Sequence, residues 1–194
     1  MSLPDPFEQT SADDAAAGPS HLSQCEGCVG IVIGIPEPVA GELRRARAAA
    51  GDPAAQVVPP HITLVTTTPA DDWSTMLSHV REVTRSQPAF HVTLRGAASF
   101  RPVSPVVYIN VEDGFEECTA LHKELQSGPL ARDLPFPFHP HVTVAHDVSE
   151  ASMDAAERKL SSYSASFTVR TVGLYEHDAS GLWKHCEELP LGEG

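Results

Sequence analysis

Basic residues are scarce in this chain. Its 13 Lys and Arg stand against 26 Asp and Glu, a formal net charge of −13 over 194 residues. Residues 1–27 hold Asp5, Glu8, Asp13, Asp14 and Glu26 and no Lys or Arg. Long nucleic acids are gripped by basic surfaces that displace counterions, so tight, nonspecific binding of a long duplex is excluded. A small ligand held in a local cleft is not. Long apolar runs are missing too: nothing approaches the ~20 residues that a membrane helix needs. The first residues show no basic region followed by an apolar stretch, so a secretory leader is not expected. The expected location is the cytoplasm, without membrane contact.

Cysteine is sparse: Cys25, Cys28, Cys118 and Cys186. Cys25-Glu-Gly-Cys28 is a lone Cys-x-x-Cys without a second pair, although ten histidines could complete a zinc site. An isolated pair is a weak metal signal, and the favoured reading is two free thiols where a tail meets the first strand. Cys118 in a helix and Cys186 in a strand read as small buried hydrophobes. Aromatic residues make up 6% of the chain. Trp73 and Trp183 read as packing. Tyr108 and Phe100 could stack on a base, though aromatics in strands more often belong to the core.

Residues 1–27 lack apolar periodicity and read as a disordered acidic tail. Order begins with a buried strand at Val29–Ile35. A helix over Val39–Ala50 stops at Gly51 with Pro53 beyond, and Arg44, Arg45 and Arg47 read as its solvated face. A strand from about His61 to Thr67 follows, then a helix opened by Asp71 and Asp72 and reaching Arg85, then a strand at Phe90–Gly96. The order repeats: strand Val106–Val111, helix Phe115–Gln126, strand His141–His146, helix Ser149–Ser162. Strands at Phe167–Tyr175 and Leu182–Leu189 close the chain. The pattern strand–helix–strand–helix–strand thus occurs twice at an offset of about 75 to 80 residues, too long for a solenoid. It predicts an α+β, bilobal, duplicated fold: one domain over 28–194, with repeats at roughly 28–100 and 101–190. Two antiparallel sheets with outer helices would flank a central cleft.

Pro60-His61-Ile62-Thr63-Leu64 and Pro140-His141-Val142-Thr143-Val144 nearly duplicate each other, 80 residues apart. In a strand, His and Thr two positions apart share a face, while Ile62/Leu64 and Val142/Val144 fall on the other. Facing each other, the two displays supply an acid, a base and two hydroxyls for an oxyanion. Chance alone predicts about 0.6 His-x-Thr in such a composition, and a third copy, His91-Val92-Thr93, does occur. It lacks the proline and follows the second helix of its lobe, so His91 reads as an ordinary strand residue. The copies at 61 and 141 occupy equivalent places in the repeat. The rival reading is two strands with surface histidines. His139 shares a face with His141 and could line the cleft; His79, His122 and His177 have no motif context.

The chain resembles the 2′-5′ RNA ligase family, the RNA 2′,3′-cyclic phosphodiesterases of the two-histidine (2H) phosphoesterase superfamily. The likeness runs over roughly 28–190 and rests on Ile31–Pro36, Val58-Pro-Pro-His-Ile-Thr-Leu64, Phe90–Gly96, Val106–Val111, Phe138-His-Pro-His-Val-Thr-Val-Ala145 and Val172–Tyr175. It implies a bilobal α+β fold, no metal or cofactor, and a catalytic tetrad of His61, Thr63, His141 and Thr143. It also implies opening of a 2′,3′-cyclic phosphate to a 2′-phosphomonoester, with ligation at the same site as the reverse chemistry. His61 would be the proton donor and His141 the acceptor. The implied substrate is an RNA end or small cyclic nucleotide, taken by a monomer. Members often carry Arg directly after the second motif's Ala, where this chain has His146. Three alternatives stay open: a binding module without turnover, a hydrolase of another small cyclic phosphate or 2′-5′-linked substrate, and a metal protein using Cys25, Cys28 and histidines.

Overall fold

The computed structural model describes residues 27–177 and 183–192. The elements run β1 (Cys28–Gly34), α1 (Val39–Ala49), β2 (His61–Pro69), α2 (Trp73–Ser86), β3 (Phe90–Ser99), β4 (Val106–Asp113), α3 (Phe115–Leu125), β5 (His141–His146), α4 (Glu150–Leu160), β6 (Ser164–Val169), β7 (Thr171–His177) and β8 (Trp183–Pro190). Short 3₁₀ turns at Pro53–Gln56 and Gly128–Leu130 lead toward β2 and β5.

The strands form two four-stranded antiparallel sheets, ordered β2-β1-β7-β8 and β5-β4-β3-β6. The fold is α+β, as expected. Each sheet draws strands from both halves of the chain: β3 joins the sheet of the second motif, and β7 and β8 join that of the first. The single strand expected over Phe167–Tyr175 is therefore two. β6 pairs with β3, β7 pairs with β1, and Arg170 stands between them. A continuous run of strand-forming residues hides such a jump, because periodicity reports extended backbone and not the neighbour it bonds. The acidic tail and Cys25 lie outside the described residues. Cys28 is buried and disulfide-bonded, not the free thiol expected. Cys118 is buried as read, whereas Cys186 is exposed.

The helices lock the sheets together reciprocally. α1, between β1 and β2, packs against β5 of the other sheet; α3, between β4 and β5, packs against β2. α4 covers β3, β4 and β5, and α2 lies on α3 and β8. Alternation sets what each strand buries. Val29, Ile31 and Ile33 of β1, Ile62 and Leu64 of β2, and Val142 and Val144 of β5 are at most 1% exposed within one continuous core. Each such side chain stabilises the fold by roughly 1.5–3 kcal/mol through apolar burial. The entry to α3 needs Gly114. Its φ is +86°, and a Cβ there would stand 2.7 Å from the carbonyl oxygen of His91.

Candidate active site

The face of each motif strand turned away from the core opens on one cavity of about 240 Å³. His61 and Thr63 of β2 line it together with His141 and Thr143 of β5. The register repeats across the lobes. His61 lies opposite Gly34 and Thr63 opposite Val32; His141 lies opposite Asn110 and Thr143 opposite Tyr108. His91 is exposed on β3, paired with Thr168, and takes no part in the cavity wall.

The two imidazoles are held identically. His61 Nδ1 lies 2.8 Å from the carbonyl oxygen of Pro59, and His141 Nδ1 lies 2.7 Å from that of His139. A carbonyl only accepts, so each Nδ1 carries the proton and donates. Any proton exchange with a ligand would then fall to Nε2 in both rings. The proline between each histidine and its acceptor, Pro60 or Pro140, fixes φ near −65°. It thereby aims the carbonyl two residues back at the ring. The Pro-His pattern is a tautomer device.

His141 is 7% exposed and further braced by aromatic edges. The rings of Phe100 and Tyr108 stack at 4.1 Å and meet the imidazole of His141 edge-on, with centroids 5.2 and 5.3 Å away. His139 packs in the same cluster, against Phe100, Tyr108 and Phe115, and is absent from the cavity wall. None of these aromatics offers a face to the cavity. They pack around the His141 ring instead.

Four further residues belong to the wall, two of which, Arg47 and Trp183, read from sequence as a solvated face and as packing. Arg47 is 6% exposed, not solvated like its neighbour Arg45. Its Nε donates to Asp52 Oδ2 at 2.6 Å, and Asp52 Oδ1 caps the following 3₁₀ turn by accepting from the Ala54 amide at 2.8 Å. The signal was present: Val39, Leu43 and Arg47 fall four apart on the buried stripe of α1. His146 also lines the wall, 5% exposed, its Nε2 buried without a hydrogen-bond partner and 3.6 Å from Asp147 Oδ2. Trp183 and Tyr175 complete the far side. A Cβ on Gly30 would stand 2.7 Å from Trp183 Cζ3, and one on Gly173 would stand 2.8 Å from Tyr175 Cε2, so each ring lies over a glycine. Glycine inside a strand, a sign of close approach, was the clue to both.

Among the described residues there is no group of three or more His, Cys, Asp or Glu that could hold a metal ion. No helix among them is long and apolar enough to cross a membrane.

Residues 35–181 match the profile of the 2′-5′ RNA ligase superfamily. A Bacillus pumilus protein provisionally named a phosphoesterase is 33% identical over 146 residues, which cover 73% of this chain and 85% of that one. Among solved structures, a Thermus thermophilus protein superposes with a TM-score of 0.62 at 20% identity, covering 86% of this chain and 100% of its own. Escherichia coli LigT, solved with NADP+, gives a TM-score of 0.61 at 22% identity, with 87% and 99% covered. Those two likenesses speak to the fold. The profile match over three quarters of the chain places this protein in the 2′-5′ RNA ligase superfamily, among the two-histidine phosphoesterases.

Proposed function

We propose that this phosphoesterase opens a 2′,3′-cyclic phosphate on RNA or a nucleotide to a 2′-phosphomonoester, with His61, Thr63, His141 and Thr143 as its catalytic residues. The observation that carries the reading is the matched pair of imidazoles on one cavity, each fixed by an Nδ1–H···O=C bond. In the hydrolysis, His141 Nε2 takes a proton from water as its oxygen bonds to phosphorus. The bond from phosphorus to O3′ breaks, and His61 Nε2 delivers a proton to that oxygen. Each proton transfer contributes roughly 10²–10⁴-fold. The hydroxyls of Thr63 and Thr143 donate to the non-bridging oxygens as charge moves onto them.

Arg47 supplies the fixed positive charge in this reading. His146 stands where relatives often carry Arg, and an imidazole is cationic only when protonated. Arg47 reaches the same cavity from α1, and a guanidinium differs from an imidazole in carrying a permanent charge. With a 5′-hydroxyl in place of water the same site would ligate. His141 Nε2 takes the hydroxyl proton as that oxygen bonds to phosphorus, and the bond to O3′ breaks with a proton from His61 Nε2. A 2′-5′ phosphodiester results, the histidines exchanging roles in the reverse direction. The E. coli LigT structures with 3′-AMP and with NADP+ show nucleotides held by a protein of this fold, which supports a nucleotide-sized ligand.

The test is turnover of 2′,3′-cyclic AMP in EDTA, with the product identified by phosphorus NMR. Expected are 2′-AMP as product, no activity in His61→Ala or His141→Ala, and near-normal activity in His91→Ala. Binding without turnover would leave a nucleotide-binding module, and a dead His91→Ala variant would mean the wrong pair of motifs.

A further inference from the structure

The tetrad accounts for one side of the cavity. Arg47 and His146 add charge-bearing groups to the wall, and much of the rest is an aromatic and apolar surface that phosphate chemistry does not require. On β1 the cavity face carries only Gly30, Val32 and Gly34, with the larger Val29, Ile31 and Ile33 turned to the core. The next two strands of the sheet, β7 and β8, each bring a ring to this wall. Trp183 of β8 lays its indole over Gly30, and Tyr175 of β7 leans back over Gly173. Val57 also lines the cavity, 76% exposed and the more exposed of the two large exposed hydrophobic side chains among the described residues.

The position of this surface relative to the tetrad follows from the register. Thr63, Val32 and Gly173 form one cross-strand row over β2, β1 and β7. Adjacent strands are about 4.8 Å apart, so the ring over Gly173 lies roughly 10 Å from Thr63. A phosphate bound by the Thr63 hydroxyl and a flat group lying on the two rings would be separated by about one ribose. Aromatic faces bind bases in a sequence-tolerant way, because every base has a π-face. The acidic surface of the chain does not oppose this, since stacking needs no cation.

We infer that Trp183 and Tyr175, seated over Gly30 and Gly173, form a nucleobase platform that makes the site selective for nucleoside cyclic phosphates over base-free cyclic phosphates. The inference rests on the proposed cyclic phosphodiesterase reading and adds the group that recognises the substrate. It makes Trp183 a specificity residue whose removal affects only substrates that carry a base.

The test compares 2′,3′-cyclic AMP with glycerol 1,2-cyclic phosphate, which has the reactive ring and no base. In Trp183→Ala the KM for 2′,3′-cyclic AMP should rise by about tenfold or more with kcat little changed. The KM for the glycerol compound should stay the same, and Trp183→Phe should restore most of the loss. A second readout is independent of turnover. The chain has two tryptophans, Trp73 and Trp183, so Trp73→Phe leaves Trp183 as the reporter. Its emission should be quenched by 2′-AMP and unmoved by glycerol phosphate. Equal damage to both substrates, or binding of 2′-AMP without quenching, would overturn the platform. Quenching by 2′-AMP with neither cyclic phosphate turned over would retain the platform and remove the hydrolytic reading.

Discussion

Asp52 holds Arg47 through a 2.6 Å bond from Nε to Oδ2, with both side chains almost wholly buried at the edge of the cavity. Among the described residues this bond is the only side-chain hydrogen bond that Arg47 makes. Arg47 is itself part of the cavity lining. Arg47→Met should lower kcat/KM for 2′,3′-cyclic AMP by roughly 10²–10³, the usual cost of losing one donor to a developing oxyanion. Asp52→Asn leaves a buried cation without its partner and should cost on the order of 3–5 kcal/mol of stability. The double variant Arg47→Met/Asp52→Asn should recover much of that stability while activity stays low. Thermal melts and steady-state kinetics on all three variants check this. Full activity in the double variant would reduce the pair to a structural role.

His122 ties the two motif segments from behind. Its Nδ1 donates to the Leu64 carbonyl in β2 at 2.7 Å, and its ring stacks on Phe138, just before the second motif, at 4.0 Å. His122→Ala removes the donor and leaves a buried carbonyl, a loss of about 1–3 kcal/mol. It should also lower kcat more than it raises KM, because both motif strands lose a common support. Chemical denaturation and kinetics measure the two effects. Wild-type kcat in a destabilised variant would confine His122 to packing.

The motifs point to the tetrad because strand alternation converts spacing directly into a shared face, and the repeat singles out two of the three His-x-Thr copies. The helix boundaries likewise fall within about two residues of the observed ones. Sheet order is less legible. The entry of β3 and β7 into opposite sheets depends on pairing partners that local pattern does not encode. Arg47 escapes because charge argues for solvent more loudly than its place on the apolar stripe argues for burial. Trp183 escapes because a lone aromatic in a strand looks the same whether it faces a core or a cavity. Only its pairing with Gly30, more than 150 residues away in sequence, tells them apart.

The two free cysteines among the described residues should behave oppositely. Cys118 is buried on α3 and its thiol is pushed up to about 12 by burial, with Glu117 adding to the effect; Cys186 is exposed. Ellman's reagent at pH 8 should label Cys186 in the native protein and reach Cys118 only on unfolding. The sign for stability follows from linkage. A thiol raised above its unfolded value of about 8.5 contributes stability that is complete below that pH and is lost as pH climbs toward 12. Cys118→Val should therefore flatten the fall in stability above about pH 8.5. Native-state labelling of Cys118 would mean that α3 opens readily.

The roles of the two histidines can be separated by the leaving group. Opening a 2′,3′-cyclic phosphate expels a ribose alkoxide, which must be protonated as it departs, and that is the task proposed for His61. An aryl phosphodiester expels a nitrophenolate, a stable anion that needs no proton. His61→Ala should therefore be inactive on 2′,3′-cyclic AMP yet keep a substantial part of the wild-type rate on a nucleoside nitrophenyl phosphate. His141→Ala should be inactive on both, because each reaction needs a proton removed from water. The wild-type kcat/KM profile on the cyclic substrate should be bell-shaped. Its alkaline limb should disappear with the nitrophenyl ester, where the protonated acid is no longer required. Rescue of His141→Ala in place of His61→Ala would reverse the assignment, making His141 the donor and His61 the acceptor.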